Sequence, residues 1–114
     1  MYSINRHVIV VKPKKPYIEW INSLPNSEEP IEIGELGTDC TSYLIPDFDY
    51  EDDSHKYIQE IYKSIFEIEL EGWSTDERTW PQQRTYQLFQ KWFTIEIHSE
   101  VIDCLESKIE KDAL

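Results

Sequence analysis

The sequence predicts an α+β domain, a small mixed sheet of three or four strands with about three helices packed mainly on one face. Three observations lead to this prediction. First, short β-branched runs alternate with helix-spaced apolar residues. Second, a chain of 114 residues is long enough to bury one core without a metal or a disulfide. Third, no repeat or low-complexity linker divides the chain. We expect one domain over residues 1–105 and a frayed polar tail over residues 106–114.

A strand followed by a helix opens the chain. Residues 7–13, HVIVVKP, form a β-branched run closed by a proline, which predicts a strand buried on both faces. Residues 16–25, PYIEWINSLP, combine a proline suited to the first helical position, helix-spaced apolar residues and a proline stop. Residues 26–40, NSEEPIEIGELGTDC, fit either an edge strand, which would make the fold an α/β sandwich, or a loop with one helical turn.

A second strand and a long helix follow. β-branched and aromatic residues predict a strand over residues 41–45, after which Pro46 removes a ladder donor. Helix-spaced apolar residues predict a helix from Ser54, capped by Asp52, Asp53 or Ser54 itself.

The end of this helix and the last two elements are predicted from turn residues and alternation. Gly72 suits the left-handed residue that follows a helix, with Trp73 packed back against the last turn. Thr79 and Gln82 fit the capping box of a further helix. Residues 93–101 alternate apolar and polar side chains, which predicts a half-exposed strand.

Six aromatic rings fall within residues 72–93, GWSTDERTWPQQRTYQLFQKWF. Five of them occupy a helix cap or an amphipathic face and are predicted to be core residues: Trp73, Tyr86, Phe89, Trp92 and Phe93. Trp80 lies instead in a turn between Thr79 and Pro81. An exposed tryptophan at that place would be an anchor for a protein partner.

The charge of the chain favours some classes of partner and disfavours others. The net charge is −12, and residues 26–60 hold eleven acidic groups and one basic group. A field of this sign repels nucleic acid and anionic membranes and favours a basic protein partner. The start of the chain has neither a signal-peptide core nor a membrane span, and Cys40 and Cys104 stand alone in sequence. We therefore expect reduced thiols and a cytoplasmic location.

Residues 47–55, DFDYEDDSH, contain five carboxylates that we call the acidic run: Asp47, Asp49, Glu51, Asp52 and Asp53. The first three offer the oxygen ligands that calcium and magnesium prefer. The EF-hand spacing fails, because Asp52 and Ile58 stand where that loop needs glycine and glutamate. We interpret the run as a solvated turn that complements the dipole of the following helix, and we predict no bound metal or cofactor.

A second candidate site lies on the last predicted strand. Glu96, His98 and Glu100 alternate, so their side chains would emerge on one face of the sheet. A glutamate could then raise the basicity of His98, or the histidine and a glutamate could join a third ligand to hold a metal. Polar residues on the solvent side of an ordinary antiparallel strand show the same pattern.

Three segments, HVIVVKPKKPYIEWINSLP, YLIPDFD and GWSTDERTWPQQRTYQLFQKWFTIEIHSEVID, together resemble a group of small acidic bacterial proteins with no established activity. The likeness covers most of residues 6–105. It implies a free-standing cytoplasmic bacterial domain, and it transfers no catalytic or binding residue to this chain.

The first function that we expect is a non-enzymatic module that binds a basic or mixed-charge protein. Asp49, Glu51, Asp52 and Asp53 would steer the encounter, and Trp80 would anchor it.

Two alternatives stay open. One is a small hydrolytic or metal-assisted enzyme in which His98 acts as base or ligand and Glu96 or Glu100 orients it. The other is a structural subunit of a homo-oligomer, in which an apolar face is completed by a second copy.

Overall fold

The computed structural model describes residues 1–25, 29–36 and 39–114. Its strands are β1 (Tyr2–Ser3), β2 (Arg6–Pro13), β3 (Thr41–Pro46), β4 (Phe93–His98) and β5 (Ile102–Asp103). Its helices are α1 (Lys15–Ser23), α2 (Ile33–Leu36), α3 (Glu51–Glu71) and α4 (Tyr86–Trp92), with a 3₁₀ turn over Glu77–Thr79. The predicted α+β class is confirmed.

Three strands form an antiparallel sheet in the order β3-β2-β4. On one side of β2, Ile9 lies opposite Tyr43, and on the other side it lies opposite Ile97. β1 and β5 pair separately as a short antiparallel ribbon, with Tyr2 opposite Asp103. The strands that the structure describes therefore run antiparallel, and α1 leads from β2 to its neighbour β3 without a parallel crossover.

The helices cover one face of this sheet. Ile9 and Val11 of β2 and Ile45 of β3 point toward the helices and are buried in the core. On the same strand, Val8 and Val10 point the other way and are only half-buried. The prediction that this strand is buried on both faces is wrong, because the helices pack against one side and alternate side chains stay in contact with water.

α3 is the longest helix, and one stripe of it enters the core. Four apolar residues on this stripe are buried: Ile58, Ile65, Phe66 and Leu70. The helix begins at Glu51 rather than Ser54, with Tyr50 at the N-cap position and no side-chain cap. The predicted caps Asp52 and Asp53 lie within the first turn instead, where their carboxylates face the positive end of the helix dipole.

The end of α3 differs from the prediction. Gly72 has φ −60° and ψ −22°, a right-handed conformation rather than a left-handed one. Its N–H donates to the carbonyl oxygen of Ile68 at 3.2 Å, so helical geometry continues through the glycine. Trp73, which we expected to pack against the helix end, is 41% exposed.

The helix predicted near Thr79 begins later in the chain. Glu77–Thr79 form a 3₁₀ turn, in which the Asp76 side chain accepts the Arg78 N–H. Such local side-chain bonds compete with continuous helix. α4 begins at Tyr86, where the hydroxyl of the N-cap residue Thr85 accepts the Leu88 N–H at 3.1 Å.

Large rings fill the space between α3, α4 and β4. The ring centroids of Phe89 and Phe93 each lie 5.7 Å from that of Phe66. Phe89 and Phe93 are buried, which confirms their predicted place in the core. Tyr86 and Trp92 are half-buried and pack against the same cluster.

The ambiguous stretch after α1 and the C-terminal segment have little regular structure. Ile33–Leu36 form one helical turn, so the loop alternative holds there. Residues 26–28 and 37–38, which the same prediction covers, lie outside the described residues. Residues 104–114 belong to no helix or strand. Among the described helices, none has the length and apolar character that a membrane span requires.

Candidate functional site

The acidic run lies where β3 is joined to the first turn of α3. Asp47 and Asp49 belong to the short connection, whereas Glu51, Asp52 and Asp53 belong to the helix. The prediction of one continuous turn through residue 53 is therefore wrong, because the helix starts at Glu51. Asp53 is half-buried and the other four carboxylate residues are exposed.

The acidic run is not neutralised from within the described part of the chain. Glu51 contacts His55 one helical turn later, with 3.5 Å between Oε1 and Nε2. Across residues 1–25, 29–36 and 39–114, no lysine or arginine nitrogen lies within 4.0 Å of any of the five carboxylates. The run therefore presents a concentrated negative field to the solvent.

A cleft of about 320 Å³ opens beside the run, and we call it the acidic cleft. It lies at the end of the sheet where β2 begins, β4 ends and α3 starts. Its lining consists of seven residues: His7, Phe48, Asp49, Glu51, Ser54, Ile97 and Ser99. The cleft thus combines two apolar walls with two carboxylates and two hydroxyls.

Ring packing holds one apolar wall of the acidic cleft in place. The Phe48 ring is half-buried, and its centroid lies 5.6 Å from that of Tyr57 on α3 at an interplanar angle of 50°. Tilted pairs of this kind are favourable beyond their buried area. Phe48 therefore presents a fixed surface between Asp47 and Asp49.

Ser54 is the buried polar residue of the acidic cleft. It is 2% exposed. Within the described part of the chain its hydroxyl makes no hydrogen bond, and no side-chain oxygen there is both sealed from solvent and unpartnered. The Ser54 oxygen therefore faces the cleft. A hydroxyl at the wall of a cleft that has no protein partner is left for water or a ligand to bond.

The three carboxylates considered as metal ligands, Asp47, Asp49 and Glu51, are not part of a metal-binding group in the described residues. Among the described residues, no three His, Cys, Asp or Glu side chains are grouped so that they could hold a metal ion. Asp47, Asp49 and Glu51 lie along a chain that runs directly into α3. An EF-hand loop instead wraps its ligands around one point through a sharp glycine turn.

β4 brings together two of the three residues considered as catalytic candidates. His98 Nε2 lies 3.4 Å from Glu96 Oε2, on the sheet face opposite the helices. Glu96 Oε1 accepts a hydrogen bond from Lys12 Nζ at 2.6 Å. This bond lowers the pKa of Glu96, and the bond with His98 adds to the effect. A carboxylate held by an ammonium group is a weaker base than a free one.

Glu100 lies outside the strand on which the alternation predicted it. β4 ends at His98, and Glu100 lies exposed in the turn that follows. The alternation seen in the sequence stops with the strand, because the chain must turn to reach β5. The Glu96–His98 pair on this open face thus lacks the second glutamate of the predicted site.

Trp80 is buried, so the prediction of an exposed partner anchor is wrong. It is 7% exposed and belongs to the core cluster. Its indole N–H donates to the carbonyl oxygen of Ser74 at 2.9 Å, and the Arg84 guanidinium lies 5.6 Å from its ring centroid. The 3₁₀ turn folds the chain back so that the ring is buried against the Arg84 guanidinium and its N–H is hydrogen-bonded.

A second cleft, of about 170 Å³, contains Cys40, Glu69 and Trp73 among its lining residues. Burial raises the pKa of the Cys40 thiol. The thiol therefore stays protonated at neutral pH, and a protonated thiol is a poor nucleophile. Sequence reasoning did not select this group, because its members come from separate elements.

Sequence reasoning found only part of the acidic cleft. It identified Asp49 and Glu51 by their charge. It missed His7, Ile97 and Ser99, since these come from strands far away in sequence. The one local signal was the large apolar Phe48 set between two aspartates.

Comparison of the chain with protein-family models, with curated proteins and with solved structures gave no match in any of the three.

Proposed function

We propose that the protein is a cytoplasmic, non-enzymatic interaction module that binds a basic protein surface through the acidic run. The observation that carries this proposal is that no lysine or arginine of the described residues is paired with the five carboxylates. Neighbouring like charges repel one another, and a cationic partner relieves that repulsion. The field also attracts such a partner from solution and raises its association rate.

The acidic cleft adds contact surface to this attraction. Phe48 and Ile97 line it, and apolar area of this kind supports a short-range complex after charge has brought the partner near. Charge then governs mainly the association rate, and the cleft governs mainly the dissociation rate.

The test is stopped-flow association with a fluorescent dodecapeptide that contains both arginine and lysine. The variant carries four neutralising changes in the run: Asp49→Asn, Glu51→Gln, Asp52→Asn and Asp53→Asn. We expect about tenfold slower association at about 20 mM salt, and a flatter dependence of the rate on salt concentration.

A second variant controls for net charge. It neutralises four exposed carboxylates outside the run: Glu60→Gln, Glu71→Gln, Glu77→Gln and Glu110→Gln. Its association rate should fall by no more than about twofold, because the local field at the run is retained. Equal slowing in both variants would show that only net charge matters and would remove the run from the proposed function.

A further inference from the structure

We infer that the acidic cleft binds a single arginine side chain of the basic partner. This inference rests on the proposed function and names the group that is recognised. The cleft volume of about 320 Å³ is at the lower end of the range for small-ligand sites. It suits one long side chain rather than a folded segment.

The charges of the cleft select a cation. Asp49 and Glu51 line it, and the lining contains no lysine or arginine. The Glu51 contact with His55 uses Oε1, which leaves Oε2 for a ligand. A guanidinium group carries five N–H donors in one plane and can bond two carboxylates at once.

Ser54 offers an unpartnered hydroxyl to a ligand in the cleft. The residue is 2% exposed, and its hydroxyl oxygen reaches the cleft and has no partner in the described residues. An inserted guanidinium N–H can donate to the Ser54 oxygen while its other N–H groups reach the carboxylates at the rim. Ser99 offers a second hydroxyl in the same lining.

The apolar walls favour arginine over lysine. Phe48, held by Tyr57, and Ile97 form the surface along which an aliphatic stem packs. A guanidinium is more weakly hydrated than an ammonium group and stacks on aromatic rings. Arginine therefore loses less hydration on entering this cleft and fills more of its hydrogen bonds.

The first experiment is NMR titration of the ¹⁵N-labelled protein with Nα-acetyl-arginine methylamide. The matched lysine and citrulline derivatives are the comparison ligands, since citrulline keeps the shape of arginine and lacks its charge. We expect amide shift changes concentrated in residues 48–54 and 97–99, with lysine binding at least about threefold more weakly and citrulline giving no saturable shifts. Shifts spread evenly over the acidic surface, or equal affinity for lysine, would overturn the inference.

Single-residue variants distinguish binding in the acidic cleft from attraction by the acidic run as a whole. The probe is a labelled nonapeptide with three arginines and six glycines. Ser54→Ala changes no charge and favours helix, so it should fold; we expect it to weaken binding about threefold to tenfold. Asp49→Asn should weaken binding about tenfold, whereas Glu60→Gln, an equal change of charge on the exposed side of α3, should stay within about twofold.

These measurements also distinguish failure of the inference from failure of the proposed function. If the four-residue run variant loses the nonapeptide but Ser54→Ala binds it as the wild type does, the arginine cleft is refuted and the interaction module stands. If neither the dodecapeptide nor the nonapeptide binds the wild-type protein at about 20 mM salt, both proposals fail.

Discussion

The Tyr43 hydroxyl donates a hydrogen bond to the Glu69 carboxylate, with 2.8 Å between the two oxygens. Tyr43 belongs to the edge strand β3, and Glu69 lies near the end of α3. Tyr17 of α1 donates to the backbone carbonyl oxygen of the same residue, also at 2.8 Å. One residue near the end of the longest helix therefore binds both a strand and a second helix.

Removal of the Tyr43 hydroxyl should destabilise the fold. We expect Tyr43→Phe to lower the free energy of unfolding by about 1–2 kcal/mol, because hydrogen bonds to charged groups contribute more than neutral ones. Urea unfolding measures this change. Tyr50→Phe is the matched control, since Tyr50 is 73% exposed and its change should stay within about 0.5 kcal/mol. Equal losses in the two variants would contradict the assigned role of the bond.

Stability should fall at alkaline pH. Burial raises the pKa of Tyr17, and the charge of Glu69 adds to the effect. The folded state therefore keeps a proton that the unfolded chain releases near pH 10. Tyr17 contributes its full share of the free energy of unfolding below that pH. Above it, we expect the free energy of unfolding to fall by about 1.4 kcal/mol per pH unit on account of Tyr17, until the pKa of Tyr17 in the folded state is reached.

Urea unfolding at several pH values between about 8 and about 11 checks this slope. Tyr17→Phe should show a shallower decline, whereas Tyr50→Phe should decline as the wild type does. A Tyr17→Phe variant with the wild-type slope would place the pH dependence in other groups.

The two tryptophans near the 3₁₀ turn should differ in their effect on stability. We expect Trp80→Ala to lower the free energy of unfolding by about 3–5 kcal/mol, because it removes a buried ring from the core. Trp73→Ala, at a position that is 41% exposed, should cost about 1 kcal/mol or less. Chemical unfolding followed by circular dichroism measures both free energies of unfolding. A larger decrease in the Trp73 variant would contradict the assignment of Trp80, rather than Trp73, to the core.

The start of α4 should depend on one hydroxyl. Thr85 Oγ1 accepts the Leu88 N–H at 3.1 Å, so Thr85→Ala should cost about 1 kcal/mol and speed hydrogen exchange at the Leu88 amide. Thr85→Ser keeps the acceptor and should retain most of the protection. If serine and alanine behave alike at this position, the cap has no measurable role.

Secondary structure was predictable wherever the pattern was long. The stripe from Ile58 to Ile68 predicts α3, and alternation predicts β4, because burial on one face imposes a period on the sequence. Helix starts were less predictable. Several residues near Ser54 and Thr79 can act as caps, and the choice among them depends on how the flanking chain packs.

The sequence by itself determined the α+β class, the aromatic core at Phe89 and Phe93, and the position of the acidic run, since period, ring size and charge are properties of the local chain. Only the tertiary structure decided that Trp80 is buried and Trp73 is left exposed, and that Ser54 shares a cleft with residues of β2 and β4. These outcomes depend on which elements pack together. Contacts between distant segments are determined by that packing and leave no period in the sequence.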